Sequence, residues 1–90
     1  RFNAQAESVQ KAHRLDRMAR AMGLGSGGDI AEAITDMNAR LGLPTGLAAM
    51  GVEREWFGSI IKGALADHCH GTNPRLASVG DYEEMLGASM

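Results

Sequence analysis

The chain has 90 residues, of which 44% are hydrophobic and 22% are charged, and its formal net charge is −2 at pH 7. This size suits one small domain with a modest core, and the weak negative charge excludes a general attraction to nucleic acid or to anionic lipid. Because no run of about 18 apolar residues is present, we expect a soluble protein that does not cross a membrane.

The first half of the sequence predicts two helices. Residues 4–22 contain neither Gly nor Pro, and their apolar residues recur at helical spacing, which predicts a helix over 4–22. Gly23 ends this helix, since the glycine-rich segment 23–28 has little helix propensity. A second helix is predicted over 29–41, with Asp29 as its cap or in its first turn. The apolar stripe of this second helix consists of Ile30, Ile34, Met37 and Leu41.

The second half predicts one short turn and two further helices. Pro44 breaks the chain, a single helical turn follows, and a helix is predicted over 53–67. This helix has the broadest apolar face of the sequence, so we expect it to be the most buried. A loop is predicted over 67–78, because Gly71 and the pair Asn73-Pro74 oppose helix. The final helix, 79–87, begins after Ser78-x-x-Asp81, which resembles a capping box with Asp in place of the usual Glu. Since no segment alternates with a period of two, the predicted fold class is all-α, a small multi-helix domain over residues 1–90.

The loop sequence DHCHGTNPR, residues 67–75, contains the residue types that bind first-row metals. His68, Cys69 and His70 follow Asp67 directly, and each of them is a possible ligand. In extended backbone, however, the two His rings lie on one side and Cys69 on the other, so a tetrahedral site needs ligands from elsewhere. The third histidine, His13, has no matching ligand at helical spacing. These residues favour a polar loop over a metal site contained in this chain.

The glycine-rich segment 23–28 before a helix invites comparison with a phosphate-binding loop. Its context differs, because a helix rather than a strand precedes it, the Gly-Lys-Ser/Thr of a P-loop is absent, and Asp29 opposes an anion. A flexible linker between helices is the favoured interpretation.

Four basic residues step by three along the first predicted helix and could contact phosphates of DNA. They are Lys11, Arg14, Arg17 and Arg20. Glu7 and Asp16 interleave with them, which favours a solvated or interdomain face. A stand-alone helical interaction module or DNA-binding module that uses this basic stripe is the alternative function.

Three stretches of the sequence, taken in order, resemble motifs of one enzyme family. The start Arg1-Phe2-Asn3 is similar to the Arg-Phe/Tyr-Asn of that family. The segment Leu41-Gly42-Leu43-Pro44-Thr45, with Leu47 and Gly51-Val52, is similar to its LGLP-x-x-L-x-x-x-GV pattern. The segment 64–75 resembles its A-x-x-D-x-C loop, which ends in Asn73-Pro74-Arg75. Together the three stretches resemble the C-terminal end of the iron-containing (group III) alcohol dehydrogenases. This likeness covers essentially the whole chain and fits the alcohol dehydrogenases better than the maleylacetate reductases.

The resemblance implies the C-terminal portion of the helical domain found in dehydroquinate synthase-like proteins and iron-containing alcohol dehydrogenases. The intact enzyme would transfer a hydride between a small alcohol or aldehyde and NAD(P), with Fe²⁺ or Zn²⁺ held by one aspartate and three histidines. Those ligands would lie upstream of Arg1, as would the dinucleotide domain. We therefore expect this fragment alone to be inactive and to bind neither the metal nor NAD(P).

The resemblance also suggests which residues line the substrate pocket. The candidates are Asp67, His68, Cys69 and His70, and the family loop motif follows at Asn73, Pro74 and Arg75. Cys69 stands at the cysteine of the family loop, whereas His68 and His70 stand at variable positions. The two histidines make this pocket more polar than an aliphatic version, and both are candidates to assist a proton relay.

The origin and assembly of the protein are further expectations. The start at Arg1 shows neither a signal-peptide pattern nor an initiator methionine, so we expect a piece of a longer protein that lacks its N-terminal domain. The single cysteine cannot form an internal disulfide, which fits a cytoplasmic location. The family resemblance implies a homo-oligomer when the protein is intact.

Overall fold

All regular elements are helical in the computed structural model, which describes residues 1–25 and 29–90. The α-helices are α1 (Glu7–Lys11), α2 (Arg14–Ala21), α3 (Ile30–Arg40), α4 (Phe57–Ala66) and α5 (Val79–Ala88). Short 3-10 turns lie at Phe2–Gln5, Ala48–Met50, Arg54–Trp56 and His70–Thr72. No β-strand occurs in the described part of the chain, which confirms the all-α class. Residues 26–28 are outside the described residues, and the phosphate-loop interpretation of 23–28 falls partly on them.

The chain divides into two compact units, Arg1–Leu43 and Pro44–Met90. In the first unit, the structure corrects the single helix predicted over 4–22. Ala6 is extended and His13 is left-handed, with φ 48° and ψ 36°, so the segment forms a 3-10 turn, α1 and α2 in succession. A left-handed residue interrupts the i to i−4 hydrogen bonds of a helix. Histidine adopts this conformation more often than most residues, but the sequence contains no Gly or Pro to announce the break.

Two helices of the first unit, α2 and α3, end next to a glycine in the left-handed conformation. Gly23 has φ 73°, and beyond it the backbone N–H of Leu24 donates to the carbonyl of Ala19 at 2.8 Å. Gly42 has φ 70°, and the N–H of Leu43 beyond it donates to the carbonyl of Asn38 at 3.0 Å. Both arrangements satisfy carbonyl groups that a helix end leaves without partners, and only glycine adopts the left-handed conformation at little cost.

The second unit contains α4 and α5, which pack against each other. Ile61 on α4 and Ala77 before α5 are buried, but Trp56 remains 50% exposed and Ile60 38% exposed. The expectation that this helix is the most buried is therefore wrong for this chain. Its broad apolar face has too few partners among the described residues to be covered, since α5 and short turns are its neighbours in this unit.

The start of α5 confirms the predicted capping box. The Ser78 hydroxyl accepts from the backbone N–H of Asp81 at 3.1 Å, and the Asp81 carboxylate accepts from the backbone N–H of Ser78 at 2.8 Å. These two hydrogen bonds satisfy donors that have no partner within the helix. The shorter Asp side chain thus performs the role for which Glu is usual.

The end of α5 is fastened to the turn that opens the second unit. The N–H of Leu47 donates to the carbonyl of Ser89 at 2.7 Å, and the N–H of Ala48 donates to the carbonyl of Met90 at 3.3 Å. Gly46 lies directly against this segment. None of the described helices has both the length and the apolar character that a membrane span requires.

Candidate functional site

An open cleft of about 370 Å³ lies in the second unit, between the end of α4, the following loop and α5. Its walls come from seven residues: Gly63, Ala64, Asp67, Cys69, His70, Asn73 and Tyr82. A Cβ atom at Gly63 would meet no atom of the described residues within 4 Å, so this glycine leaves its wall of the cleft open. The cleft therefore combines a small apolar floor with ionisable side chains from the loop.

Asp67 ends α4 and shapes the loop that follows. Its backbone is extended, with φ −71° and ψ 136°, which stops the helix. Its carboxylate accepts from the backbone N–H of Cys69 at 2.7 Å, and its carbonyl accepts from the N–H of His70 at 3.1 Å. Such bonds from an Asp side chain to the backbone two residues on are typical of turns. They place Cys69 and His70 on the cleft wall.

The Asn-Pro-Arg segment joins this loop to α5. The Asn73 amide donates to the carbonyl of Arg75 at 2.6 Å, across Pro74. The Arg75 guanidinium then donates to the Asp81 carboxylate at 3.4 Å. Two hydrogen bonds from Ser78, with the nearby Arg75 charge, hold the pKa of Asp81 below its usual range. The segment thus acts as a structural connection for the cleft wall.

His70 meets Tyr82 across the cleft. The His70 Nδ1 atom lies 2.9 Å from the Tyr82 hydroxyl oxygen, and both side chains are half-buried. Their ring centroids are 5.8 Å apart and the rings are tilted by 38°, so the hydrogen bond rather than stacking defines the pair.

Comparison with known proteins identifies the family. The sequence model described as "Fe-containing alcohol dehydrogenase family, C-terminal" matches residues 1–90. The chain belongs to the Fe-containing alcohol dehydrogenase family. The match includes every residue of the cleft, and it confirms the resemblance seen in the sequence.

Two proteins named as dehydrogenases are similar to this member of the Fe-containing alcohol dehydrogenase family. The 4-hydroxybutyrate dehydrogenase of Cupriavidus necator is 56% identical over 90 residues, which are 100% of this chain and 24% of that protein. The NAD-dependent methanol dehydrogenase of Bacillus methanolicus is 32% identical over 89 residues, which are 94% of this chain and 23% of that protein. The chain thus spans about a quarter of the length of these relatives. No solved structure gives a significant match.

The alternative of a DNA-binding module finds no support in these comparisons or in the geometry. The left-handed His13 separates Lys11 on α1 from the three arginines of α2, so the basic stripe is not one continuous helix face. Lys11 is also paired with Glu7.

The cleft does not fit the metal site of the Fe-containing alcohol dehydrogenases. The expected ligands are one aspartate and three histidines, whereas the cleft contains Asp67 and His70 alone of these types. Ligand atoms of Asp67, His68 and Cys69 do lie within 4.8 Å of one another, but all three residues are exposed. Asp67 raises the pKa of the Cys69 thiol, which favours the protonated form that does not bind metals.

The sequence candidates thus divide into two groups. Asp67, Cys69 and His70 line the cleft, whereas the side chain of His68 lies outside its lining and is 92% exposed. Tyr82 of the final helix, which the sequence does not mark as a candidate, is also a cleft residue. The spacing of neighbouring residues does not predict the contact of Tyr82 with His70, which lies 12 positions earlier in the chain.

Proposed function

We propose that this chain forms the C-terminal helical part of an NAD(P)- and metal-dependent alcohol dehydrogenase that interconverts small primary alcohols and aldehydes. The observation that carries this proposal is the family match over all 90 residues. The identity of 56% to a protein named 4-hydroxybutyrate dehydrogenase makes 4-hydroxybutyrate the first substrate to consider. The name of the second relative supports NAD as the hydride acceptor.

In this proposal the cleft is one wall of the substrate pocket. Asp67, Cys69 and His70 offer polar atoms to the substrate, while Gly63 and Ala64 leave room for its carbon chain. The hydrogen bonds of Asn73 and Arg75 hold this wall in place. The remainder of the enzyme would supply the opposite wall, the dinucleotide domain and the ligands for Fe²⁺ or Zn²⁺, and the metal would act as a Lewis acid on the substrate oxygen. We expect the complete enzyme to be cytoplasmic and to form a homo-oligomer. Light scattering of the complete enzyme measures its oligomeric state.

The experiment is a substrate survey with the complete enzyme that carries this chain. Reduction of NAD⁺ and NADP⁺ is followed with 4-hydroxybutyrate, methanol and butan-1-ol, before and after chelation and re-addition of Fe²⁺ or Zn²⁺. We expect metal-dependent reduction, with the highest kcat/KM for 4-hydroxybutyrate. Butan-1-ol is the matched substrate, because it has the same carbon number without the carboxylate. Absence of dinucleotide reduction with every primary alcohol would refute the proposal.

A further inference from the structure

The His70 and Tyr82 side chains form a hydrogen-bonded pair whose two members come from different elements. His70 opens the 3-10 turn His70–Thr72, and Tyr82 lies in the first turn of α5. The capping box places the start of α5, and the Asn-Pro-Arg connection joins α5 to the loop. Hydrogen bonds thus hold the backbone near both members of the pair, at the loop that carries His70 and at the start of α5 that carries Tyr82.

Tyr82 occupies one ring nitrogen of His70 and leaves the other available. The hydrogen bond uses Nδ1, at 2.9 Å, and in the described part of the chain Nε2 has no hydrogen-bond partner. A neutral imidazole has one nitrogen that donates and one that accepts, so the partner of Nδ1 decides what Nε2 can do. When the Tyr82 oxygen accepts from Nδ1–H, Nε2 is the acceptor nitrogen of a ring that lines the cleft.

We propose that Tyr82 is a positioning residue that orients His70, so that its Nε2 atom accepts the hydroxyl proton of the substrate alcohol. This inference rests on the proposed function. When the alcohol is oxidised, its O–H proton passes to Nε2, the carbon gives its hydride to NAD(P)⁺, and the C–O bond becomes the aldehyde C=O. The proton then leaves Nε2 for solvent. The sum is alcohol plus NAD(P)⁺ giving aldehyde, NAD(P)H and H⁺.

The other ionisable groups of the cleft are less suited to this role. One Asp67 oxygen already accepts from the backbone N–H of Cys69. The Cys69 thiol lies beside that carboxylate, which opposes formation of a second negative charge. His70 is the cleft residue whose acceptor atom is both oriented by a neighbour and available.

The test is a double-mutant cycle in the complete enzyme, with H70Q, Y82F and the double variant. Loss of a general base typically lowers the rate by about 100-fold or more, so we expect this loss in kcat/KM for H70Q. Loss of one orienting hydrogen bond corresponds to roughly a tenfold decrease for Y82F, seen in kcat rather than in KM. Because Tyr82 acts through His70, we expect Y82F to cause no further loss in the H70Q background.

The control for H70Q is His68→Gln, a change of the same residue type two positions away and outside the cleft lining, which we expect to leave kcat/KM unchanged. Thermal unfolding of each variant verifies folding, and H70N replaces H70Q if the latter does not fold. Additive losses from H70Q and Y82F would assign Tyr82 a structural role and overturn the inference. Activities of both variants within twofold of the wild type would also overturn it, whereas an inactive wild-type enzyme would refute the proposed function instead.

Discussion

Replacement of Gly46 by alanine tests how the end of α5 is held. A methyl group on Gly46 would lie 2.7 Å from the carbonyl carbon of Met90 and 3.1 Å from the carbonyl oxygen of Ser89. These are backbone atoms, so the segment must move away and lose the hydrogen bonds from the N–H groups of Leu47 and Ala48. Two such bonds contribute about 1 to 3 kcal/mol together. Alanine returns about 0.4 to 1 kcal/mol by restricting the unfolded chain. The midpoints of these two ranges give an expected net loss of unfolding free energy of about 1.3 kcal/mol.

Two measurements on the complete enzyme check this value for G46A. Urea denaturation reports the global free energy of unfolding, and hydrogen exchange of a peptide covering 44–52 reports local opening, which we expect to be about tenfold faster. The control is Gly58→Ala in α4, where a Cβ atom meets nothing of the described chain within 4 Å. It should stabilise the protein by up to about 1 kcal/mol through helix propensity. Unchanged exchange and unchanged stability in G46A would show that the end of α5 does not occupy this position.

Three further predictions concern single side chains. The folded state lowers the pKa of Asp81, so the carboxylate stabilises α5 above the unfolded pKa of about 3.9, and this stability is lost as the pH falls further. The difference in unfolding temperature between wild type and D81N should therefore shrink below about pH 4, and a constant difference would contradict this cause. Asp67 raises the pKa of the Cys69 thiol, so D67N should be alkylated by iodoacetamide severalfold faster at about pH 8, and equal rates would exclude this influence. The left-handed conformation of His13 costs about 1 kcal/mol, which glycine would avoid, but glycine also raises the entropy of the unfolded chain and so loses part of this gain in stability. Urea denaturation should therefore show H13G to be more stable than the wild type by about 0.5 kcal/mol. A destabilised H13G would show that the His13 side chain holds the bend.

Local signals predicted the features that a few neighbouring residues decide. Gly23 adopts a left-handed conformation at the end of α2, as predicted, and Gly42 does the same at the end of α3. Ser78 and Asp81 form the capping box that their spacing predicts. In each case the bonded groups are separated by a few residues, so the interaction is encoded where it forms.

The candidate site was predictable in part. The order of family motifs led to the loop of Asp67, Cys69 and His70, and all three residues line one cleft. His68 shares the same sequence context, but its side chain points to solvent. His68 and the two residues after it differ in their place in the turn that begins at Asp67, where the N–H groups of Cys69 and His70 donate to the carboxylate and the carbonyl of Asp67. The residue type alone does not predict which way a side chain points.

The sequence by itself determined the helical class, the helix stops at glycine, the cap of α5 and membership of the Fe-containing alcohol dehydrogenase family. Tertiary structure decided the packing of Gly46 against Met90 and the pairing of His70 with Tyr82, and the left-handed break at His13 was visible only in the structure. The physical reason is distance along the chain. Caps and glycine stops depend on residues within one turn, whereas the packing of Gly46 and the pairing of His70 join segments that meet only when the loops and helices between them are folded.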